Sequence, residues 1–393
     1  MLSWLAPLLV LGLVIFVHEL GHFLAAKWAG VYAPRFSLGW GSPVWSFRRG
    51  ETEYAISALP IGGYVRMASQ EDEHASALEG GGELRADGEP VERSKHWDEH
   101  SMIPHGPLPI PKERWFESKP LHQRLVILVA GVVMNVILAL VVSTGVFMYY
   151  GTGYLPAVVD SVVAERPAER AGIQRGDSIA AIDGEAITRW DEVLTRVSAA
   201  PERPLTFTVV RGGETLTLTV TPEAQDLPSD STGELRRVGR IGVGPRGDAV
   251  RERMGPGAAV VAGVDATVQM GASVLGVLGG LFKGSVSVSQ LGGPVEIARA
   301  SVTAAQSGTG LENLWALVAF LSVNLAILNM LPIPLLDGGQ IVLNLIEGAL
   351  RKPLPAMVKE WYARIGLAAI LLLFVTVTFN DLKRLVLGWF GAD

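Results

Sequence analysis

Residues 2–26 read LSWLAPLLVLGLVIFVHELGHFLAA, a run that is apolar apart from Ser3 and a group of ionisable side chains near its end. A helix of this length can cross the roughly 30 Å hydrocarbon core of a bilayer. No Lys or Arg precedes Lys27, so the positively charged start of a secretory signal peptide is missing. The run therefore predicts a transmembrane helix over residues 1–28 rather than a cleaved leader.

Three later stretches contain no charged residue, and they lie at 125–150, 314–336 and 365–379. A chain of 393 residues that is 49% apolar and gathers its apolar residues in this way is typical of membrane proteins. The sequence predicts a polytopic α-helical membrane protein with four transmembrane helices, at residues 1–28, 121–150, 312–341 and 360–381.

The composition limits the chemistry. The chain contains no Cys, which excludes disulfides and cysteine-ligated zinc and leaves His and carboxylate side chains as zinc ligands. Its net charge is −6 and its basic residues form no long run, so no nucleic-acid partner is expected.

Basic residues concentrate in three of the segments that flank the predicted spans, at 27–66, 119–124 and 351–359. The positive-inside rule places these segments in the cytoplasm, so both termini and residues 151–310 lie outside. The stretch 257–283 is apolar but contains Asp265 and Gln269. We expect it to form an amphipathic helix on the outer membrane surface.

The first span contains His-Glu-x-x-His, at His18, Glu19 and His22. Residues four apart share a helix face, so the two imidazoles can bind one Zn²⁺. Glu19 then lies close enough to act as general base toward a water that the metal activates. The alternative is a histidine pair satisfied within a helix bundle. Ionisable groups are costly in lipid, which favours the functional interpretation.

A catalytic zinc needs a third protein ligand, and Asp337 is the candidate. It ends an uncharged stretch in which Pro332 and Pro334 break the helix. A break in a helix at membrane depth is tolerated where it faces protein or a water-filled cavity. A hydrolase needs a cavity of this kind. With 257–283 outside the bilayer, the order of the spans brings Asp337 to the same cytoplasmic half as the histidines. Taken alone, an aspartate in a turn at the end of a helix is an equally good interpretation.

The chain resembles bacterial site-2 proteases of the regulator of sigma-E protease type. Five segments carry the resemblance: His18 to His22, Asn329 to Gly338 (Asn-x-x-Pro-x-Pro-x-Leu-Asp-Gly), Pro60 to Met67, Ser118 to Arg124, and Gly131 to Asn135. It covers nearly the whole chain except 69–112. Val132 and Val133 stand where the family often has Gly-Pro, which should alter a kink rather than the chemistry.

The resemblance implies one catalytic Zn²⁺ whose protein ligands are His18, His22 and Asp337. It implies that Glu19 is the general base and that Asn329 contacts the substrate backbone or steadies an oxyanion. For Asn135 it leaves two roles open, a direct substrate contact or a supporting hydrogen bond between helices.

Residues 33–68 alternate apolar and polar side chains between glycine-rich turns, with strands expected at 44–48 and 53–59. We interpret them as a membrane-associated β-region near the zinc, whose edge pairs with an unwound substrate as an added strand. A plain cytoplasmic hairpin is the alternative, because alternation alone does not locate a strand.

Residues 69–119 form a cytoplasmic insert, whose polar part reads as flexible. A second metal site there is a weaker interpretation than a solvated loop, and its ligands would be His74, His96, His100 and His105. Residues 153–222 resemble one extracytoplasmic PDZ domain with a helix near 190–199, which either binds peptide or excludes bulky substrates. Residues 223–256 read as a polar linker.

The expected function is an intramembrane zinc metalloendopeptidase of the bacterial inner membrane, with its zinc site toward the cytoplasm. Its partners would be membrane lipid and a transmembrane substrate, such as an anti-sigma factor or a signal-peptide remnant. A non-catalytic peptide-binding scaffold has no use for Glu19. A zinc transporter needs ionisable residues along a path through the bilayer. The second and fourth spans have no charged residue near their centres, which argues against a transporter.

Overall fold

A computed structural model describes residues 3–69, 111–228, 235–247, 249–288 and 291–389. The chain divides into two compact units, Met1–Thr144 with Ala262–Leu278 and Val286–Asp393, and Gly145–Val261 with Gly279–Ser285. Most of the predicted insert lies outside the described residues. The four histidines of its possible second metal site lie outside them as well.

The helices are α1 (Ala6–Trp28), α2 (Leu121–Tyr150), α3 (Pro167–Arg170), α4 (Trp190–Ser198), α5 (Pro256–Lys283), α6 (Pro294–Gln306), α7 (Gly310–Met330), α8 (Asp337–Leu350) and α9 (Ala356–Trp389). Two short 3-10 helices lie at Ser3–Leu5 and Lys112–Arg114.

The strands are β1 (Arg35–Arg49), β2 (Thr52–Arg66), β3 (Thr152–Tyr154), β4 (Val159–Val162), β5 (Ser178–Ile182), β6 (Glu185–Ala186), β7 (Leu205–Arg211), β8 (Glu214–Val220), β9 (Glu223–Pro228), β10 (Leu235–Arg240), β11 (Val243–Pro245) and β12 (Val250–Glu252).

Five helical segments among the described residues are long and apolar enough to cross a membrane, namely Ser3–Trp28, Leu121–Tyr150, Pro256–Lys283, Gly310–Met330 and Ala356–Val386. Four of them correspond to the predicted spans, so the chain has the helices of a polytopic membrane protein. The other one is α5, which we expected on the outer surface. Length and composition do not distinguish these two placements, and the count of four spans stays a prediction.

The third predicted span, 312–341, is interrupted where the sequence predicted a helix break. Helix α7 ends at Met330 and α8 begins at Asp337. Pro332 and Pro334 lie between the two helices and have no backbone N–H with which to continue α7. Leu335 adopts a positive φ of 72° within the turn between the two helices. The break therefore places Asp337 at the start of a new helix.

Helix α6 was not expected from the sequence, and a carboxylate from α9 holds its N-terminus. Asp381 accepts hydrogen bonds from the backbone N–H groups of Gly293 (3.0 Å) and Glu296 (3.1 Å). Free N–H groups at the start of a helix favour an anion. Gly293 has no side chain that could accept their hydrogen bonds, so the carboxylate of Asp381 caps the helix instead. This contact explains why the carboxylate of Asp381 is buried.

Strands β1 and β2 form a hairpin that folds on itself. Its residues 35–38 pair both with 53–56 and with 63–66, so one strand of the hairpin is used twice. The expected strands at 44–48 and 53–59 lie within β1 and β2. Several large apolar side chains of this hairpin are more than half exposed, among them Trp40, Val44 and Trp45.

Glu51 anchors the turn of this hairpin. Its carboxylate accepts two hydrogen bonds of 2.8 Å from Arg114 and a further one from Lys27. The guanidinium of Arg114, helped by Lys27, lowers the pKa of Glu51 to about 2. A carboxylate with a lowered pKa stabilises the folded state above its unfolded pKa, here near 4.5, and loses that contribution as the pH falls toward 2.

We therefore expect Glu51→Gln to loosen the hairpin at pH 7. A partly exposed ion pair contributes roughly 0.5–1 kcal/mol, so amide hydrogen exchange in residues 35–66 should be about two- to fivefold faster. The wild type should approach the exchange of the variant as the pH falls from about 4.5 to 2, after correction for the intrinsic pH dependence. Glu360→Gln, which removes an exposed ion pair with Arg364 on α9, is the control. Equal exchange in all three proteins at pH 7 would contradict the anchor.

The second unit is built on the sheet β6-β5-β7-β8, which packs against α4. Its core contains fully buried residues of the strands and of the helix, including Ile179, Phe207, Val209 and Val193. The helix expected near 190–199 is α4. Residues 153–222 thus contain strands and the expected helix. Their designation as a PDZ domain remains a prediction.

Residues 223–256 differ from the predicted polar linker, because they contain β9 to β12. Strands β9 and β10 pair with each other, β11 pairs with β4, and β12 pairs with β3. These strands are short, and β10 and β12 together contain Arg at several positions, so they lack the apolar alternation that identifies a strand in a sequence. Their partners lie up to about a hundred residues away, which no local pattern can indicate.

Candidate metal centre

Helix α1 places His18 and His22 one turn apart on the same face. The two Nε2 atoms are 3.1 Å apart, and both side chains are buried. The rings meet edge to face with centroids 4.7 Å apart, so both Nε2 atoms point toward one place. This is the arrangement that the i, i+4 spacing predicted.

The break between α7 and α8 brings Asp337 to the same place. Its Oδ2 lies 3.2 Å from Nε2 of His18 and 3.4 Å from Nε2 of His22. Two glycines permit this approach, since a Cβ on Gly338 or Gly339 would collide with carbonyl oxygens of the preceding turn. The proline break and the glycine pair therefore act together to deliver the carboxylate.

The three atoms fit one tetrahedral zinc ion. Ligand atoms bound to zinc at about 2.0–2.1 Å in a tetrahedron are separated by roughly 3.3 Å, and the three separations found are 3.1, 3.2 and 3.4 Å. Asp337 Oδ2 is buried and accepts no well-formed hydrogen bond among the described residues. A buried carboxylate oxygen without such a partner, facing two imidazole nitrogens, matches a donor set that could hold a metal ion.

His22 is held in the orientation that metal binding requires. Its Nδ1 lies 2.8 Å from the backbone carbonyl of Ile127 on α2, to which it can donate its proton. That tautomer leaves the lone pair of Nε2 free for a metal ion. Within the described residues, His18, His22 and Asp337 are the group of three or more His, Cys, Asp or Glu side chains that could hold a metal.

Glu19 lies beside the predicted ligands and against the hairpin. Its Cγ is 3.3 Å from the position that a Cβ on Gly63 would occupy, so the side chain lies against strand β2. The side chain is partly exposed, as a group that meets a substrate must be. Strand β2 is thereby placed next to the carboxylate that we expected to act as the base.

Comparisons with known proteins agree with this geometry. Residues 6–373 match the profile of Peptidase family M50. The chain belongs to this family. It is 32% identical to the regulator of sigma-W protease RasP of Bacillus subtilis over 428 residues, which covers 98% of this chain and 99% of that protein. It is also 32% identical to the zinc metalloprotease RasP of Bacillus licheniformis, with the same coverage. The metalloprotease MmpA of Caulobacter vibrioides is 33% identical over 395 residues, which covers 96% of this chain and 94% of that protein.

This M50 peptidase is therefore a zinc metalloprotease of the site-2 type, as its motifs predicted. The family membership places its activity in regulated intramembrane proteolysis and in a membrane. The long apolar helices agree with that setting.

The two asparagines of interest both approach His18 in this M50 peptidase. Nδ2 of Asn329 lies 2.9 Å from Nε2 of His18, on the side that faces the other predicted ligands. Asn135 lies on the opposite side of the ring, with Nδ2 at 3.5 Å from Nδ1 of His18. Asn135 has no exposed surface and Asn329 is partly exposed, so Asn329 is the better placed of the two for substrate contact.

Sequence reasoning gave no role to two glycines where α1 and α2 cross. A Cβ on Gly131 would lie 2.8 Å from Cε1 of His18 and closer still to Nε2 of His22. A Cβ on Gly21 would overlap the backbone of α2 at Ala130. The signal that could have found Gly131 is its spacing of four residues from Asn135, on one face of an uncharged helix.

Proposed function

We propose that this M50 peptidase is an endopeptidase that cuts single-span membrane proteins within the bilayer. One catalytic zinc would be held by His18, His22 and Asp337. The observation that carries the proposal is the triangle of ligand atoms at 3.1 to 3.4 Å, formed between an apolar membrane helix and a helix break. A hydrolytic centre on such a helix is placed to meet a membrane-embedded substrate rather than a water-soluble one.

Zinc in this site supplies Lewis-acid activation of water and of the scissile carbonyl. Glu19 is the general base: a carboxylate oxygen takes the proton of the attacking water and passes it to the leaving amine. The contact with Gly63 of β2 places the Glu19 carboxylate against the hairpin.

Asn329 is proposed to meet the substrate at the reacting carbonyl. Its amide Nδ2 lies beside the ligand nitrogen of His18, at 2.9 Å, and can turn to donate to an oxyanion or to the substrate backbone. Placement on the last turn of α7, just before the proline break, keeps this amide at the depth of the metal site.

The substrate is proposed to bind as an extended strand beside β2. A helix hides its peptide bonds in internal hydrogen bonds, so a transmembrane substrate must unwind before hydrolysis. The 63–66 segment of β2 pairs with 35–38 on one side and lies against Glu19 at Gly63. An added strand would satisfy the freed backbone of the substrate close to the base.

Anti-sigma factors and signal-peptide remnants are the substrate classes that we propose, and the name of the Bacillus subtilis relative refers to regulation of a sigma factor. We place the protein in the bacterial inner membrane, with the metal centre toward the cytoplasm and the second unit outside. The second unit would act as a PDZ domain that binds peptide or excludes bulky proteins.

The test uses purified protein in detergent and a single-span substrate whose helix is destabilised by glycines. We expect about one zinc per chain and cleavage within the span. Chelation with 1,10-phenanthroline should abolish cleavage, and added zinc should restore it. A wild type without zinc would contradict the proposal. A wild type that binds zinc and cuts none of several such substrates would favour a peptide-binding scaffold.

A further inference from the structure

The two predicted histidine ligands have different partners on the side away from the metal site. Nδ1 of His22 faces the backbone carbonyl of Ile127, an acceptor, at 2.8 Å. Nδ1 of His18 faces the side-chain amide of Asn135, at 3.5 Å. Both partners belong to α2, so a single helix supports both rings from behind.

A neutral imidazole that binds metal through Nε2 carries its proton on Nδ1 and needs an acceptor there. The amide of Asn135 has its nitrogen, a donor, toward this atom, and two donors cannot hydrogen-bond to each other. Its Oδ1 is buried and has no hydrogen-bond partner within the described residues. No bond to Oδ1 therefore holds the amide in this orientation, and a half-turn about the Cβ–Cγ bond presents the oxygen to His18.

The backbone at Asn135 is held by a hydrogen bond from a neighbouring helix. The hydroxyl of Ser322 on α7 donates to the backbone carbonyl of Asn135 at 2.9 Å, and both residues are fully buried. Helices α2 and α7 are thus joined at the level of His18. A side chain with no exposed surface at this point can act on the metal site through the imidazole and has no surface for a substrate.

We propose that Asn135 is a positioning residue whose Oδ1 accepts a hydrogen bond from Nδ1–H of His18, which fixes the ring and its metal-binding tautomer. The inference rests on the proposed role of His18 as a zinc ligand. It gives Asn135 the function that the Ile127 carbonyl has for His22, and it replaces the substrate contact considered from the sequence. Outer partners of this kind contribute about 10- to 100-fold to metal affinity.

The experiment measures zinc affinity by chelator competition at pH 7 in detergent, on full-length protein and without substrate. Asn135→Leu removes the acceptor at similar volume, and we expect zinc binding about 10- to 100-fold weaker. Asn135→Asp keeps an acceptor in the same place, and its affinity should stay within a few-fold of the wild type or exceed it. Asn135→Ala replaces the Leu variant if that protein does not fold.

Ser143→Ala is the matched control, since Ser143 is another buried polar residue of α2 whose hydroxyl has no hydrogen-bond partner in the described part of the chain. It should leave zinc affinity unchanged. If Asn135 only packs the helices together, the Leu and Asp variants will both have a lower thermal stability without zinc, and their zinc affinity will be unchanged. That result would overturn the inference. Equal loss of affinity in the Leu and Asp variants would also overturn it. A wild type that binds no zinc would overturn the proposed function and this inference together.

Discussion

Glu19→Gln is expected to lower the cleavage rate by about 10²- to 10⁴-fold while the protein keeps its zinc, because a positioned general base contributes that factor. The glutamine has the size of the glutamate and keeps an oxygen that can accept hydrogen bonds. It cannot take a proton from water. The three predicted ligand atoms belong to other side chains, so the metal site should survive the change.

The measurement pairs zinc content with initial cleavage rates of one single-span substrate. His18→Ala is the matched contrast, since it removes a ligand of the same helix and should lose zinc and cleavage together. A Glu19→Gln protein that cuts at the wild-type rate would exclude Glu19 as the base. A variant that loses zinc would instead indicate that Glu19 helps to bind the metal.

Gly131→Ala is expected to abolish zinc binding, with affinity at least about 100-fold lower and cleavage lost with it. The added methyl group would overlap Nε2 of His22 and press on Cε1 of His18 at 2.8 Å. Overpacking costs roughly 1–3 kcal/mol where side chains can move aside, which corresponds to about 5- to 150-fold in affinity. Here the cost should be at the upper end, because Gly21 already places the backbones of α1 and α2 in contact at Ala130.

The same substitution elsewhere in the two helices provides the controls. A Cβ on Gly145 of α2 or on Gly12 of α1 would meet no atom of the described residues within 4 Å. Gly145→Ala and Gly12→Ala should therefore keep zinc and activity, and alanine should favour the helix slightly. Normal zinc affinity in Gly131→Ala would mean that α1 and α2 can move apart, and that the close crossing does not shape the site.

The sequence by itself determined the parts that depend on local spacing. His18 and His22 are four residues apart in an apolar run, and any helix through them places both imidazoles on one face. Pro332 and Pro334 end a helix wherever they occur in one, so the turn before Asp337 could be predicted, although its sharpness could not. The helix at 190–199 and the strands near 44–48 and 53–59 likewise follow from local patterns.

Tertiary structure decided everything that joins distant residues. The pairing of β11 and β12 with β4 and β3 converts an expected linker into part of a folded unit. The contact of Asp381 with the start of α6 spans 88 residues of sequence, and the approach of Gly63 to Glu19 spans more than forty. The carbonyl of Ile127 and the amide of Asn135 reach the histidines because α2 crosses α1 at two glycines. The physical reason is that a spacing fixes which face of a helix a side chain occupies, whereas packing fixes what that face meets.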